Sequence, residues 1–408
     1  MFVKKSSATS FFFLLAAIPA VSFGQVEYGI AAEYPNDEGI SGNPAVVFTE
    51  DFEESTIDEM HSRWSEEGEV QRGDYMTFSA DVPPRSGGTQ SLTAPGNDEG
   101  PGLYRRLTGN GTGYDRLFFR FYGKLDTACS EIHHYSWMGG HNPSTTWPNP
   151  RAGYRPAGDS HFSSGAEPGT DGWDFYTYWM DMGCWGSEDG ECHGNCFLWN
   201  NEKPAVRMGE WYCWEMMIKV NDPPDASNGE QAFWIDGRKY AHFGPGLPTY
   251  TYSGTDRWGE SDTGAPFPGF RWRTVEDLRV NYVWLYNYVH DDACRAWFDD
   301  VVVATSYIGP MVKNSYVDKS AQRQNVVSRT ITIIQNAPGR LTVRHPFTDT
   351  KRSTFSVFSP AGRRIFRCTG SWNRQFTIES GLLPTGSYVG MLRSGREQLQ
   401  VRFIVSGW

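Results

Sequence analysis

Lysine is scarce in this chain, with nine in 408 residues, and basic residues number 37 against 48 acidic ones. The shortage falls on the body. Residues 1–325 hold 25 basic and 45 acidic groups, a formal charge of −20, whereas residues 326–408 hold twelve basic and three acidic, or +9. An acidic body argues against nucleic acid as a partner, because that binding rests on neutralising phosphates. Long apolar runs are missing as well. After Phe11–Val21 no stretch approaches the ~20 apolar residues of a helical span, so no membrane span is expected. Helical periodicity is nearly absent, which speaks against alternating helices and parallel strands.

Aromatic residues are plentiful instead: 15% of the chain, including 16 Trp, beside 44 Gly. Flat rings fill β-cores, and they also stack on the apolar faces of pyranose rings. The N-terminus places Lys4 and Lys5 before the apolar run, with Ser22 and Gly24 after it. This reads as a secretory signal over residues 1–24, and hence as a secreted or cell-surface protein. Export permits disulfides. Six of the seven cysteines lie in the body and allow up to three bridges, with Cys184–Cys196 as a stapled loop. A zinc site from Cys184, Cys192, His193 and Cys196 is the competing reading, but its spacing matches no familiar zinc motif.

From Ala45 onward the text is short strands between Gly, Pro and Asn clusters, for example YDRLFFRFYGKL, WDFYTYWMDM, WYCWEMMIKV, VNYVWLYNYVH and AWFDDVVVATSYIG. The expected fold class is all-β: a jelly-roll β-sandwich over 45–312 followed by a small C-terminal β-sandwich over 326–408. Residues 25–44 read as a loose lead-in and 313–325 as a linker. Alternation separates the faces of each strand. In the first of these strands Leu117, Phe119, Phe121 and Leu125 form the core face. Arg116, Phe118, Arg120, Tyr122 and Lys124 form a face that mixes cations with rings, unlike an ordinary solvated surface. In the strand near Tyr282, the face bearing Tyr282, Trp284, Tyr286, Tyr288 and His290 looks like a wetted groove.

Chemistry-bearing residues gather around SEIHHYSWMGGHNP (Glu131, His133, His134) and RAGYRPAGDSHFSSGAEP (Arg151, Arg155, His161, Glu167). Arginine, histidine, tyrosine and an acid are the parts that β-elimination on a uronate polysaccharide requires. A cation neutralises the carboxylate and acidifies the adjacent C–H, a base removes that proton, and a phenol protonates the leaving oxygen.

Over Ala45–Pro310 the pattern YDRLFFRFYGKL, EIHHY, EWYCWEMMIKVN, FWIDGRKY, NYVWLYNYV and FDDVVVATSYIGP resembles the jelly-roll polysaccharide lyase superfamily, including glucuronan and alginate lyases. The resemblance implies Arg120 as the carboxylate neutraliser, His133 as base or its partner, and Tyr286 as acid. Arg116, Tyr122, Lys124, Glu131, His134, Arg155, His161, Tyr178, Glu215, Tyr282, Trp284 and Tyr288 would then line the substrate. The chain departs from the alginate lyase pattern at Glu131, where that pattern has Gln. STFSVFSPAGRRIF and LPTGSYVGMLRSG resemble the sorting domains that bacteria present to type IX secretion machinery, which implies that partner for the C-terminal sandwich; a small carbohydrate-binding or fibronectin-like module is the alternative.

Two alternatives to a polysaccharide lyase stay open. One is a non-catalytic glycan binder. The other is a hydrolase working through pairs among Glu131, Glu167 and Glu215, although no E-x-D-x-x-E signature is present. A structural calcium is also expected. Glu50, Asp51 and Glu53 near the first strand and Asp299 and Asp300 in the last would supply its hard oxygen ligands.

Overall fold

The computed structural model describes residues 26–65, 76–96, 102–109, 111–129, 132–145, 151–169, 171–186, 191–199, 203–289 and 293–312, and much of 332–405. The expected signal peptide (1–24) and linker (313–325), Glu131 and His290 lie outside the described residues. The chain divides into two units at Asn314/Ser315.

In the first unit the strands are β1 (Val46–Glu50), β2 (Thr77–Ser79), β3 (Ser91–Pro95), β4 (Gly102–Arg106), β5 (Arg116–Leu125), β6 (His134–His141), β7 (His161–Gly169) and β8 (Gly172–Tyr178). They continue with β9 (Tyr212–Lys219), β10 (Glu230–Ile235), β11 (Arg238–Phe243), β12 (Thr249–Tyr252), β13 (Trp258–Glu260), β14 (Ala265–Pro266), β15 (Tyr282–Tyr288) and β16 (Arg295–Ala304). One large sheet runs β11-β10-β9-β5-β16-β3-β2, with β1 also paired to β16; a second runs β4-β15-β6-β7-β8. Both are antiparallel throughout. Non-consecutive neighbours such as β5/β16 and β4/β15 make this a jelly-roll-like sandwich rather than a meander.

The two sheets face each other across an aromatic core. Phe121 meets Tyr135 at 5.7 Å, Trp173 meets Trp214 at 4.7 Å, and Phe175 meets Phe233 at 4.9 Å between ring centroids. Leu117, Phe119, Phe121 and Leu125 lie in this core, as alternation along β5 predicts. A disulfide joins Cys129 to Cys294 and a second joins Cys184 to Cys192, while Cys196 and Cys213 are free thiols. The bonded pair cannot supply zinc thiolates, so the four-ligand zinc reading falls.

The other face of β5 is not a groove. Residues 26–44, expected to be loose, form a strap of short 3-10 turns across it. Ile30 and Ala31 donate to the carbonyls of Tyr307 and Ile308 at 3.0 and 2.9 Å, and Asn36 donates to that of Val312 at 2.9 Å. Ala31, Ile40 and Ile308 bury apolar surface on Phe118, Met217, Trp234 and Val302.

The second unit contains β17 (Thr332–Ala337), β18 (Arg340–Arg344), β19 (Ser353–Phe358), β20 (Arg364–Gly370), β21 (Gln375–Glu379), β22 (Gly386–Ser394) and β23 (Glu397–Val405). They make a three-stranded sheet β17-β18-β21 and a four-stranded sheet β20-β19-β22-β23 around a small core of its own.

Candidate functional site

The strap decides the fate of the residues expected on β5. Arg120 is fully buried, ion-paired with Asp37 and donating to the Asp300 carbonyl at 2.8 Å. Tyr122 accepts from Met311 N–H at 2.9 Å, Lys124 pairs with Asp81, and Arg116 donates to the Thr305 carbonyl at 3.4 Å. Glu215, on the adjoining β9, accepts from the Ile308 and Gly309 N–H groups, both at 2.8 Å, and burial pushes its carboxyl up to about 7. Arg120 and Tyr286 therefore stand on opposite sheets, and the cleft expected between them does not exist. Arg116, Arg120, Tyr122 and Glu215 hold the strap and the segment after β16 onto the first sheet, and Lys124 is held by Asp81 of the loop between β2 and β3; the expectation that they touch substrate is corrected.

The outward face of the second sheet is different. Register places Tyr104 opposite Trp284 on β15, Trp284 opposite Trp137 on β6, and Trp137 opposite Gly165 on β7, which pairs Tyr176 on β8. Cross-strand partners share a face. That face carries Tyr282, Trp284, Tyr286 and Tyr288 from β15, His134, Trp137 and His141 from β6, His161 and Glu167 from β7, and Tyr176 and Tyr178 from β8. The seven residues of β15 give it a length of about 20 Å. Asn287 points the other way and donates to the Ala94 carbonyl at 2.9 Å.

Its Tyr282 end is roofed, since the Tyr104 hydroxyl donates to the Thr145 carbonyl at 2.7 Å. The opposite end is open: His133 is exposed, and His134, Glu167, Tyr176 and Tyr288 are half-buried. A register shift between Leu285 and Tyr288 turns His134 onto this face beside Tyr288. His134 stacks on Tyr288 and Tyr286 with centroids at 5.5 and 6.2 Å, and His133 lies 5.7 Å from Tyr288.

His134 Nδ1 and Glu167 Oε1 are 2.8 Å apart. Burial pushes the imidazole down to about 4, while burial and the Asp174 carboxylate raise the Glu167 carboxyl well above the usual range. Both shifts favour an uncharged pair that holds one acidic proton between nitrogen and oxygen. Tyr286 has its phenol raised by burial and then by Tyr288 and Glu167, so it keeps its proton at neutral pH.

Polar atoms on this face lack partners within the protein: Trp137 Nε1, His141 Nε2 and His161 Nε2 are buried and make no hydrogen bond. Buried polar groups are normally satisfied, so these donors and acceptors suit water or ligand hydroxyls. Of the residues expected to line substrate, His134, His161, Tyr178, Tyr282, Trp284 and Tyr288 share this face with Tyr286, but His161, Tyr178, Tyr282, Trp284 and Tyr286 are packed into the buried core, so the wetted groove expected along β15 is corrected to its open His134–Tyr288 end. His133 sits at its rim, and Arg155 stands exposed in the connection between β6 and β7. Trp137, His141 and Tyr176 were not anticipated, nor was the partnership of Glu167 with His134. The parity of Tyr176 and Tyr178 in GWDFYTY was the signal for one of them.

The acidic cluster lies elsewhere, beside the strap. Glu50 is committed to Arg63, to Trp64 Nε1 at 3.0 Å and to Phe52 N–H at 2.9 Å. Glu53 accepts from Thr89 N–H at 2.6 Å and Gln90 N–H at 2.9 Å. Those two are poorer cation ligands than expected. Asp51 and Asp300 line one pocket with Asp37, and Asp300 sits in a bulge of β16 at φ +47°. Asp299 Oδ2 and Asp300 Oδ2 are buried without partners, and burial together with neighbouring carboxylates pushes Asp299 up to about 9. Among the described residues, the acidic groups whose oxygens lie within 4.8 Å of one another, close enough to share one cation, are Glu50, Asp51 and Glu54; Asp299 and Asp300 stand outside that set.

No protein-family model and no curated protein sequence matches the chain. Solved structures similar to it include an alginate lyase from Chlorella virus, at 13% identity and TM-score 0.41, covering 64% of this chain and 99% of that one. A cellulose-induced protein matches at 15% identity and TM-score 0.36, covering 64% and 99% of the two chains. A carbohydrate esterase of the Shiga toxin-encoding bacteriophage phi24B matches at 10% identity and TM-score 0.35, covering 65% and 99%.

Proposed function

We propose that the chain is an exported polysaccharide lyase that holds a uronate-containing glycan along the ring-lined face of the second sheet and cleaves it at the His134 end. The observation that carries this reading is the His134–Glu167 contact at 2.8 Å with Tyr286 and Tyr288 stacked beside it. When the pair gives up its shared proton, Glu167 becomes a carboxylate that accepts from Nδ1–H and orients the imidazole, and Nε2 is then unprotonated and able to take the C5 proton. The C5–H electron pair forms the C4=C5 double bond as the C4–O bond breaks. The Tyr286 hydroxyl gives its proton to the leaving oxygen, and solvent returns the two side chains to their starting states. His133, exposed at the rim, would contact the chain being cleaved.

Incubation with a panel of uronate polysaccharides, followed through the ultraviolet absorbance of the unsaturated product, tests the reading. Growth of that absorbance, lost in Tyr286→Phe, is expected; its absence with every substrate removes the lyase. Binding without cleavage is favoured by one specific observation: Arg120 and Lys124, expected as cations for a uronate carboxylate, stand on the other sheet and are ion-paired with Asp37 and Asp81. Retention on insoluble glycan without new unsaturated ends would then be the outcome.

Two accessory roles belong to the same proposal. Asp51, with Glu50 and Glu54 beside it, would hold a structural calcium remote from the groove; a chelator should lower the melting temperature of wild type but not of Asp51→Asn. Residues 326–408 would serve as the segment presented to bacterial secretion machinery.

A further inference from the structure

Among the described residues five large aromatic side chains are exposed, and four of them, Tyr154, Trp185, Trp199 and Tyr252, lie in one lobe beyond the β8 edge of the groove; the fifth is Tyr28. Trp185 is 61% exposed, which is costly for an indole that nothing covers.

The lobe is built to hold these rings in place. Gly153 N–H donates to the Cys192 carbonyl at 2.7 Å beside Tyr154, and the Cys184–Cys192 disulfide fixes the turn that carries Trp185. Trp185 N–H donates to the Glu191 carbonyl at 3.0 Å, closing that turn. The Tyr252 ring stacks on buried Trp258 at 4.3 Å, and its hydroxyl donates to the Thr255 carbonyl at 2.7 Å. Gly183 packs so tightly there that a Cβ would come within 1.8 Å of the Tyr252 hydroxyl. Exposed Arg155 donates to Cys184 Sγ at 3.5 Å.

The lobe is continuous with the groove. Asn195 N–H donates to the Thr177 carbonyl of β8 at 2.9 Å, between the groove residues Tyr176 and Tyr178. Gly194 lies against the Tyr176 ring, where a Cβ would stand 2.2 Å from it.

We infer that this lobe is a second stacking platform, on which Trp185, Tyr154 and Tyr252 hold sugar rings of the polysaccharide chain after it leaves the groove over β8. Rigid rings with one free face suit pyranose rings, and Arg155 supplies a cation for an acidic substituent. The inference rests on the groove reading, and it makes affinity depend on chain length: short oligosaccharides fill the groove alone, whereas long chains gain the platform.

Calorimetric titration of the full-length protein with uronate and neutral polysaccharides, and with short oligosaccharides cut from each, tests it. In Trp185→Ala/Tyr154→Ala, binding of long chains should weaken about tenfold, the scale of one or two ring contacts, with short oligosaccharides unchanged. Equal affinity of this variant and wild type for long chains overturns the platform and leaves the groove standing. A groove variant, Tyr288→Ala, that keeps long-chain binding overturns the groove instead. A change in sedimentation of the platform variant would mean that a second copy of the chain, not a glycan, covers the rings, and that also overturns the proposal.

Discussion

His134 and Arg120 were both read as groove residues, and only one of them is. His134 reaches the open face because the bulge beside Tyr288 turns it there, and Glu167 then fixes its ring. Replacing His134 by Ala should lower kcat by about 10²–10⁴ with little effect on folding, the range for a lost general base. Because burial holds the imidazole near 4, it stays neutral below the pH at which an ordinary histidine charges. The base form also needs Glu167 ionised, so the acid limb of kcat/KM should follow loss of the Glu167 proton and lie above the ordinary carboxylate range. A limb at the ordinary position would show that another group is the base. For Arg120 the expectation is the reverse. Arg120→Met strands Asp37 without its partner under the strap and should cost about 3–5 kcal/mol in urea unfolding, with kcat of the folded fraction unchanged.

At the scale of elements, most strands were legible because alternating apolar and polar residues between turn signals leave few other readings. β5, β8, β9, β15 and β16 overlap the segments picked from the sequence, as β19, β20 and β22 overlap STFSVFSPAGRRIF and LPTGSYVGMLRSG in the second unit. QAFWIDGRKY is a hairpin rather than one strand, turning at Asp236–Gly237 between β10 and β11. What alternation could not tell was which strand faces are covered by irregular chain. On β5 the mixture of cations and rings pointed to a groove, but those rings meet Trp234, Tyr307 and the strap. A polar, Gly-rich stretch such as residues 26–44 gives no periodic sign that it will pack. The partnership of Glu167 and His134 was hidden for the related reason that 33 residues separate them. The Cys129–Cys294 bridge also acts at this scale. It closes a span of 165 residues, and in the chain-entropy treatment a loop of that size confers about 4–5 kcal/mol. Cys129→Ser/Cys294→Ser should lose a comparable amount in denaturant titrations, whereas opening Cys184–Cys192, a span of 8, should change global stability far less.

For the whole molecule, the division at Asn314/Ser315 separates glycan chemistry from the proposed export role. In a bacterial host equipped with type IX secretion machinery, deleting residues 315–408 should leave the protein cell-associated while cell lysates retain full activity per folded molecule. Secretion at the normal level would remove the sorting role. The backbone bonds from Ile30 and Ala31 to Tyr307 and Ile308 have a temporal consequence. A chain made or threaded from its N-terminus carries the first partner of those bonds nearly 280 residues ahead of the second. Until the last stretch arrives, Arg120 has no carbonyl from Gly309 and Glu215 has no amides from Ile308 and Gly309. The sandwich therefore cannot latch while any part before residue 309 is still in transit, and such contacts between distant parts of a sequence make for slow folding. On the proposed export route, the chain's own topology keeps it open during the journey.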